Sequence, residues 1–485
     1  MYKMLNNSTE PKNKEFFDLF ARTVEMGLDI IRTLERQNTF IGSHYGYTSV
    51  RLDINVLPGF TNSGLRNYGE PFGLSDNSTV NCKYNPVFTE FIDFVKGQET
   101  IRKHFEIPSN LRSQSQDDDS FIFDNLILRL ISTTVDRYLH KYRDGDFSLE
   151  RLKPWYREIE RGIFDETLYV DILVPILMLT FDFDSIWLKD DIAIFKMNNE
   201  TQEARAYSQD LDPKVHWVVA NATSHAFMFK GFELKNKGYW RMEEQIINLL
   251  KVNDELINTS LALLKTVTNF STGYAQILIN PVMWAFKFMA HLPSFIRKST
   301  RAYPMFFDEG QWLKPIPIVK KKQVEVLKTL YANHQTLSNK RIKLALKRLN
   351  TCLLRDNEED RILDVAIGLE ALFADDEKQE ITHKLALRAG AISKLDSEIA
   401  YKPKEVFTAI KKVYSYRSAV AHGSKDSEKK RVFEINGNEI IAIEFAIELL
   451  RKSIMILLEN QKYLEPSKID EDLLLNLQLS NEANT

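Results

Sequence analysis

The chain has 485 residues, enough for two or three domains each with its own core, and its 44% hydrophobic and 27% charged content is that of a globular protein. A formal net charge of −3 gives no global sign of nucleic-acid binding, and two distant cysteines, Cys82 and Cys352, exclude a disulfide framework or a cysteine zinc site, which fits a reducing cytosol. The polar N-terminus lacks the apolar core of a signal peptide, and the longest apolar run, ten residues from Ile172 to Phe181, is too short to span a bilayer. A cytoplasmic protein with no membrane partner is expected.

In chain order, residues 1–12 read as disordered, and Phe16–Gln37 as a helix with Phe17, Phe20, Val24 and Leu28 on one face. The Gly-, Asn- and Pro-rich stretch Tyr45–Tyr84 predicts short strands and loops. Helices are expected over Asn85–Phe105 and Phe121–Tyr142, with the acidic run SQSQDDDS between them as an exposed loop. Leu168–Phe183, Ile192–Lys196 and His216–Glu233 are rich in β-branched and aromatic residues and predict a sheet. Arg241–Phe270 reads as a helix, Gly273–Ile279 as a strand and Val282–Arg297 as a second amphipathic helix.

The Pro- and Gly-containing segment Tyr303–Val319 is the best domain boundary. Beyond it the pattern is helical: Lys320–Asn333, Ser338–Leu354, Asp360–Ala374, Gln379–Lys394, Lys402–Gly423 and a last helix from about Ile440 to Tyr463. The fold expected is therefore an α+β N-terminal region (1–310, of one or two subdomains) followed by an all-α helical bundle (320–464). A flexible acidic tail (465–485) ends it. The bundle is locally basic, with ten Lys/Arg against one acid between Lys314 and Arg348 and nine against three between Lys402 and Arg431. Such runs are either solvated faces or the footprint of an anionic partner.

One helix carries the strongest chemical signal. In KPKEVFTAIKKVYSYRSAVAHG the apolar stripe Val406, Ile410, Val413 continues onto Arg417, and His422 stands before Gly423, a helix stop. A guanidinium on an inward stripe needs a partner. Glu370 shares a face with Leu363 and Ile367 on a nearly all-apolar helix, so a Glu370–Arg417 pair is expected, either fixing helix register or supporting a site.

The successive segments DRILDVAIGLEALF, HKLALRAGAI and YSYRSAVAHG resemble the Apea-like branch of the HEPN superfamily, over residues 325–463. The superfamily's ribonuclease motif is an Arg and a His separated by four to six residues, and Arg417 and His422 enclose four. The resemblance implies a metal-independent, cofactor-free endoribonuclease acting as a dimer or higher oligomer. Arg417 would bind the scissile phosphate, His422 would move the proton of the ribose 2′-hydroxyl, and the product would be a 2′,3′-cyclic phosphate. Glu370 would support Arg417, and Lys411, Lys412 and Ser418 would contact RNA. Nuclease members often carry Asn, Asp or His where this chain has Ser418, and some HEPN domains are silent RNA-binding or assembly modules. The family also implies anti-phage abortive infection, with a phage-derived trigger sensed by the N-terminal region. Residues five apart on an ideal helix point about 140° apart, so Arg417 and His422 converge only if the turn loosens or if a second copy completes the site. The dimer is preferred.

No GxGxxG, P-loop, HExxH or GxSxG supports another chemistry. The remaining rival is a magnesium nuclease site built from Asp182, Asp184, Glu233 and Lys235. Ordinary sheet-edge charge explains those residues as well. His383 and Arg388 are open: a cleft histidine or an exposed one, a phosphate residue or a packing one.

Overall fold

The computed structural model describes residues 10–52, 57–112, 115–143, 146–206, 212–337, 339–375, 380–396, 399 and 401–475. The expected disorder of residues 1–12 falls almost wholly outside this range, as does the end of the acidic tail.

The first helix, α1 (Lys14–Arg36), buries Phe16, Phe17, Phe20, Val24 and Leu28, and the Asn13 side chain accepts the Phe16 N–H at its start. The polar stretch that follows yields the antiparallel pair β1 (Thr48–Leu52) and β2 (Pro58–Asn62) and the short parallel pair β3 (Phe72–Gly73) and β4 (Val80–Asn81). The helix expected over 85–105 is two, α2 (Pro86–Gly97) and α3 (Glu99–Phe105), divided at Gln98, whose backbone is extended. The acidic run is not a loop. It opens α4 (Gln116–Tyr142): Ser115 caps the helix, and Asp117, Asp118 and Asp119 occupy its first turn, where the macrodipole favours negative charge. An unforeseen helix, α5 (Leu149–Phe164), follows with Pro154 in its interior.

Next come β5 (Thr167–Pro175), β6 (Thr180–Phe181), β7 (Ser185–Lys189), β8 (Ile192–Lys196), α6 (Asn199–Arg205), α7 (Trp217–Asn221), β9 (His225–Lys235), α8 (Met242–Thr268), β10 (Tyr274–Pro281) and β11 (Ile296–Ala302). Six of the strands form one sheet in the order β11-β10-β5-β9-β8-β7. Strand β5 is antiparallel to both β10 and β9, with an irregularity at Asp171 that lets its carboxylate accept the Gly231 N–H. The helix expected over 282–297 is absent. Met283 and Ala290 adopt positive φ, which stops an α-helix, and Pro293 would lack a helical donor. The apolar residues that suggested it, among them Trp284, Phe288 and Leu292, are buried from an irregular segment instead.

The rest comprises β12 (Ile318–Val319), α9 (Lys321–Thr336), α10 (Lys340–Leu354), α11 (Glu358–Phe373), α12 (Ile381–Ile392), α13 (Pro403–Ala421), α14 (Ser427–Lys430), β13 (Val432–Ile435), β14 (Asn438–Ile441), α15 (Ala442–Glu459) and α16 (Pro466–Ile469). As expected, α11 is central: Ile362, Val365, Ala366, Leu369, Leu372 and Phe373 are fully buried, and it packs against α10, α12, α13 and α15. The bundle is not all-α. The charged connection after α13 contains the hairpin β13–β14, turned by Asn436 and Gly437 at φ 54° and 79°, the positive values a two-residue hairpin loop requires. The expected flexible tail starts as α16 and a further helical turn to Leu475, with Ile469 fully buried.

The chain divides into two compact units, residues 1–175, 195–253 and 276–300 in the first, and 176–194, 254–275 and 301–485 in the second. Part of the reason is local pairing: β12 lies parallel to β6, which draws the segment around 180 into the second unit. In the first unit an aromatic cluster joins α1, α2 and α5, with Phe16 stacked on Phe91 at 5.9 Å and packed on Tyr156 at 5.6 Å. No described helix is long and apolar enough to cross a membrane.

Candidate functional site

The residues singled out on the last long helices lie in the second unit. Helix α13 starts at Lys402, whose backbone N–H is held by Glu405 at 2.8 Å, with Pro403 as the first helical residue. It buries Val406, Ala409, Ile410 and Val413 completely. The stripe does not carry Arg417 into the core. The side chains of Arg417 and Glu370 stay 34% and 31% exposed, and their closest approach is 3.8 Å. Both charges were expected inward; they sit at the rim, where water still solvates part of each and the cost of burial is reduced. The pairing is loose, and the Arg417 Nε is buried without a hydrogen-bond partner. What an anion can reach is the exposed end of the guanidinium, a side chain one third open to water with a single loose ion pair among the described residues.

Beneath this pair lies Tyr414, a residue the sequence reading passed over. It is buried and donates its hydroxyl to the Ala366 carbonyl at 3.2 Å. Burial and the nearby Glu370 carboxylate raise its phenol well above the ordinary range, so it stays protonated and packs as a neutral wall.

The end of α13 is sharply built. The Gly423 N–H bonds the Val420 carbonyl at 3.0 Å and the Ser424 N–H bonds the Ala419 carbonyl at 2.8 Å, the double bond of a Schellman stop, with Gly423 at φ 60°. His422 is the C-cap residue and is exposed. Because the backbone is helical through Ala421, the turn between Arg417 and His422 does not loosen, and the angular separation of about 140° is retained. No contact joins the two side chains among the described residues. Ser418 is exposed, and its carbonyl accepts the His422 N–H.

Lys411 and Lys412 are exposed on the same helix, Lys411 lying 5.3 Å from the centre of the Phe407 ring. His383 meets the same ring edge-on at 5.5 Å and is exposed. The basic segment before α11 is divided in use. Lys320, Lys321, Lys322, Lys328, Lys340 and Lys347 face solvent, whereas Arg348 pairs with buried Asp364 at 2.7 Å and Arg341 donates to the Ala371 and Ala374 carbonyls at the end of α11.

Arg388 is a packing residue. Its side chain is 5% exposed and donates to Asp375 at 2.8 Å, to Asp470 at 2.6 Å and to the Phe373 carbonyl at 2.7 Å. It thereby fastens the last described turn to the bundle. Arg388→Ala is expected to cost about 1–2 kcal/mol, limited because both aspartates keep contact with water. Limited proteolysis should then cut faster between residues 465 and 475, and an unchanged cutting rate there counts against this role.

The rival acidic set is not gathered. Among the described residues Asp182, Asp184 and Glu233 form no group with ligand spacing, and Glu233 and Lys235 are exposed on β9. Asp182 is engaged locally: its carboxylate accepts the Lys321 N–H at 2.8 Å and caps α9.

No protein-family model, curated protein or solved structure matches the chain.

Proposed function

We propose that the chain is a metal-independent endoribonuclease of the HEPN type, acting as a dimer through its C-terminal helices. The observation that carries this reading is α13 itself: a partly free guanidinium at Arg417 and an exposed imidazole at His422 on one helix, in the YRSAVAHG segment, beside Glu370 of the LEALF segment. In this reading Arg417 binds the scissile phosphate and stabilises its developing charge. His422 takes the proton of the ribose 2′-hydroxyl as that oxygen bonds to phosphorus. The bond to the 5′-oxygen breaks, and that oxygen takes a proton from the histidine of the second copy. The products are a 2′,3′-cyclic phosphate and a 5′-hydroxyl. Two copies are needed because one helix holds its Arg and His on separated faces. Lys411, Lys412 and Ser418 contact the RNA backbone, and the family resemblance suggests cytoplasmic anti-phage defence with the N-terminal region as sensor.

The test is cleavage of total cellular RNA by the purified protein in EDTA. Cyclic-phosphate ends and activity without divalent metal support the reading; metal-dependent cleavage opposes it. A second reading, a catalytically silent RNA-binding module, is favoured by Ser418 and by the exposed lysines. In that case charge reversal at Lys411 and Lys412 weakens RNA binding while no preparation cuts.

A further inference from the structure

Nine histidines are scattered through the sequence, yet two of them meet in the first unit on one aspartate, with a third ring beside them. Asp136 and His140 are four residues apart on α4, which sets both on one helix face. His44 comes from the segment before β1. That segment is fixed by its own backbone, the His44 N–H bonding the Leu65 carbonyl at 2.7 Å and the Asn67 N–H bonding the Gly42 carbonyl at 2.8 Å.

The side chains converge. His44 Nε2 is 3.0 Å from one oxygen of Asp136, and His140 Nε2 is 3.3 Å from the other. One donor atom from each of the three residues lies within 4.8 Å of the other two. A tetrahedral ion with bonds of about 2.0–2.1 Å holds its donor atoms about 3.3–3.4 Å apart, so the cluster is already close to ligand spacing. The Arg66 carbonyl, 2.8 Å from His140 Nε2, is a fourth oxygen or nitrogen atom at the same point. The Tyr68 N–H, 2.9 Å from Asp136, orients the carboxylate, as outer-sphere donors do in metal sites. The ring of His291 stands beside His140, with centroids 6.0 Å apart.

Charge balance points the same way. Asp136 is only 3% exposed, and among the described residues no lysine or arginine pairs with it. A buried carboxylate whose side-chain partners are two imidazoles has no permanent positive charge beside it. A divalent cation supplies it.

We infer that His44, Asp136 and His140 form a binding site for a borderline divalent transition ion of the zinc type, which clips the residues around His44 and Arg66 onto α4. Two imidazoles, a carboxylate and a neighbouring carbonyl are a donor set suited to Zn²⁺ and, as a spectroscopic substitute, Co²⁺.

The experiment uses the full chain, stripped with EDTA, dialysed and titrated with Co²⁺. One equivalent should produce visible d–d absorption, and Zn²⁺ should abolish the bands and raise the thermal midpoint. His44→Gln and Asp136→Asn should each weaken Co²⁺ binding by about 100-fold or more. The inference is overturned if the parent protein shows no band and no midpoint shift, a measurement that needs no variant to fold. Equally damaging would be folded variants, by circular dichroism, that bind Co²⁺ as the parent does. The readout is separate from RNA cleavage, which in the proposed mechanism uses no metal.

Discussion

Arg417→Ala and His422→Ala should each lower RNA cleavage by about 10²–10⁴-fold, the usual contribution of a phosphate-binding donor or a positioned acid–base group. Neither change should affect folding much. His422 is exposed at a helix end and Arg417 is a third exposed with one loose ion pair, so each substitution should alter stability by about 0.5 kcal/mol or less. Arg417→Lys is the sharper probe. Lysine keeps the charge but loses the planar fork that engages two phosphate oxygens, so it should restore RNA binding without restoring the rate. Glu370→Gln tests the supporting role, and should raise KM or lower kcat by far less than loss of Arg417. Equal cleavage by the parent and both alanine variants would remove the site from α13 altogether. Mixing the two inactive variants adds a further measurement: if each dimer site draws on both copies, the mixture should recover part of the activity.

Lys265→Met should stabilise the protein, and the gain should depend on pH. Lys265, on α8, is 1% exposed, and its one hydrogen bond among the described residues goes to Asn350 of α10 at 2.8 Å. Burial lowers its ammonium from 10.5 to about 7. With the folded value depressed, the unfolded chain binds more protons between about pH 7 and pH 10.5, so wild-type stability rises with pH across that window. At and below about pH 7 the folded protein carries the full cost of the buried charge, on the order of 4–5 kcal/mol. Methionine removes that cost at similar volume but leaves the Asn350 oxygen unpaired, which returns about 1–3 kcal/mol. A net gain of about 2 kcal/mol is expected near neutrality, fading towards pH 10.5. Urea unfolding of both proteins at pH 7 and pH 10 checks it; a variant destabilised at pH 7 would show that the Asn350 bond outweighs the charge.

Much of the fold was legible in the sequence because its helices are long and strongly periodic. The spacing of Phe17, Phe20, Val24 and Leu28 located α1, and the nearly uniform apolar surface of the segment around Leu369 identified α11 as the central helix. The His-Gly step ended α13 where expected, because only a residue tolerant of positive φ closes a helix that way. The misreadings have local causes. The Asp117–Asp119 run looks like a loop by composition, but a capped helix start favours just those charges. The Asn436-Gly437 pair is a plain hairpin signal masked by the charged residues around it, and α5 was hidden by Pro154.

The sequence by itself determined the mixed class, the helical character of the second half and the placing of Arg417, Ser418 and His422 on one helix, since these depend on periodicity and termini within a single segment. Tertiary structure alone decided the rest. It set Glu370 and Arg417 at a solvated rim, engaged Arg388 and Asp182 in packing and capping, and brought His44 to Asp136 and His140 from a segment some ninety residues away. Local pattern records which face of an element is apolar. Which charged groups meet, and how deeply water reaches them, depends on contacts between elements remote in the chain, and these follow only when the core has closed.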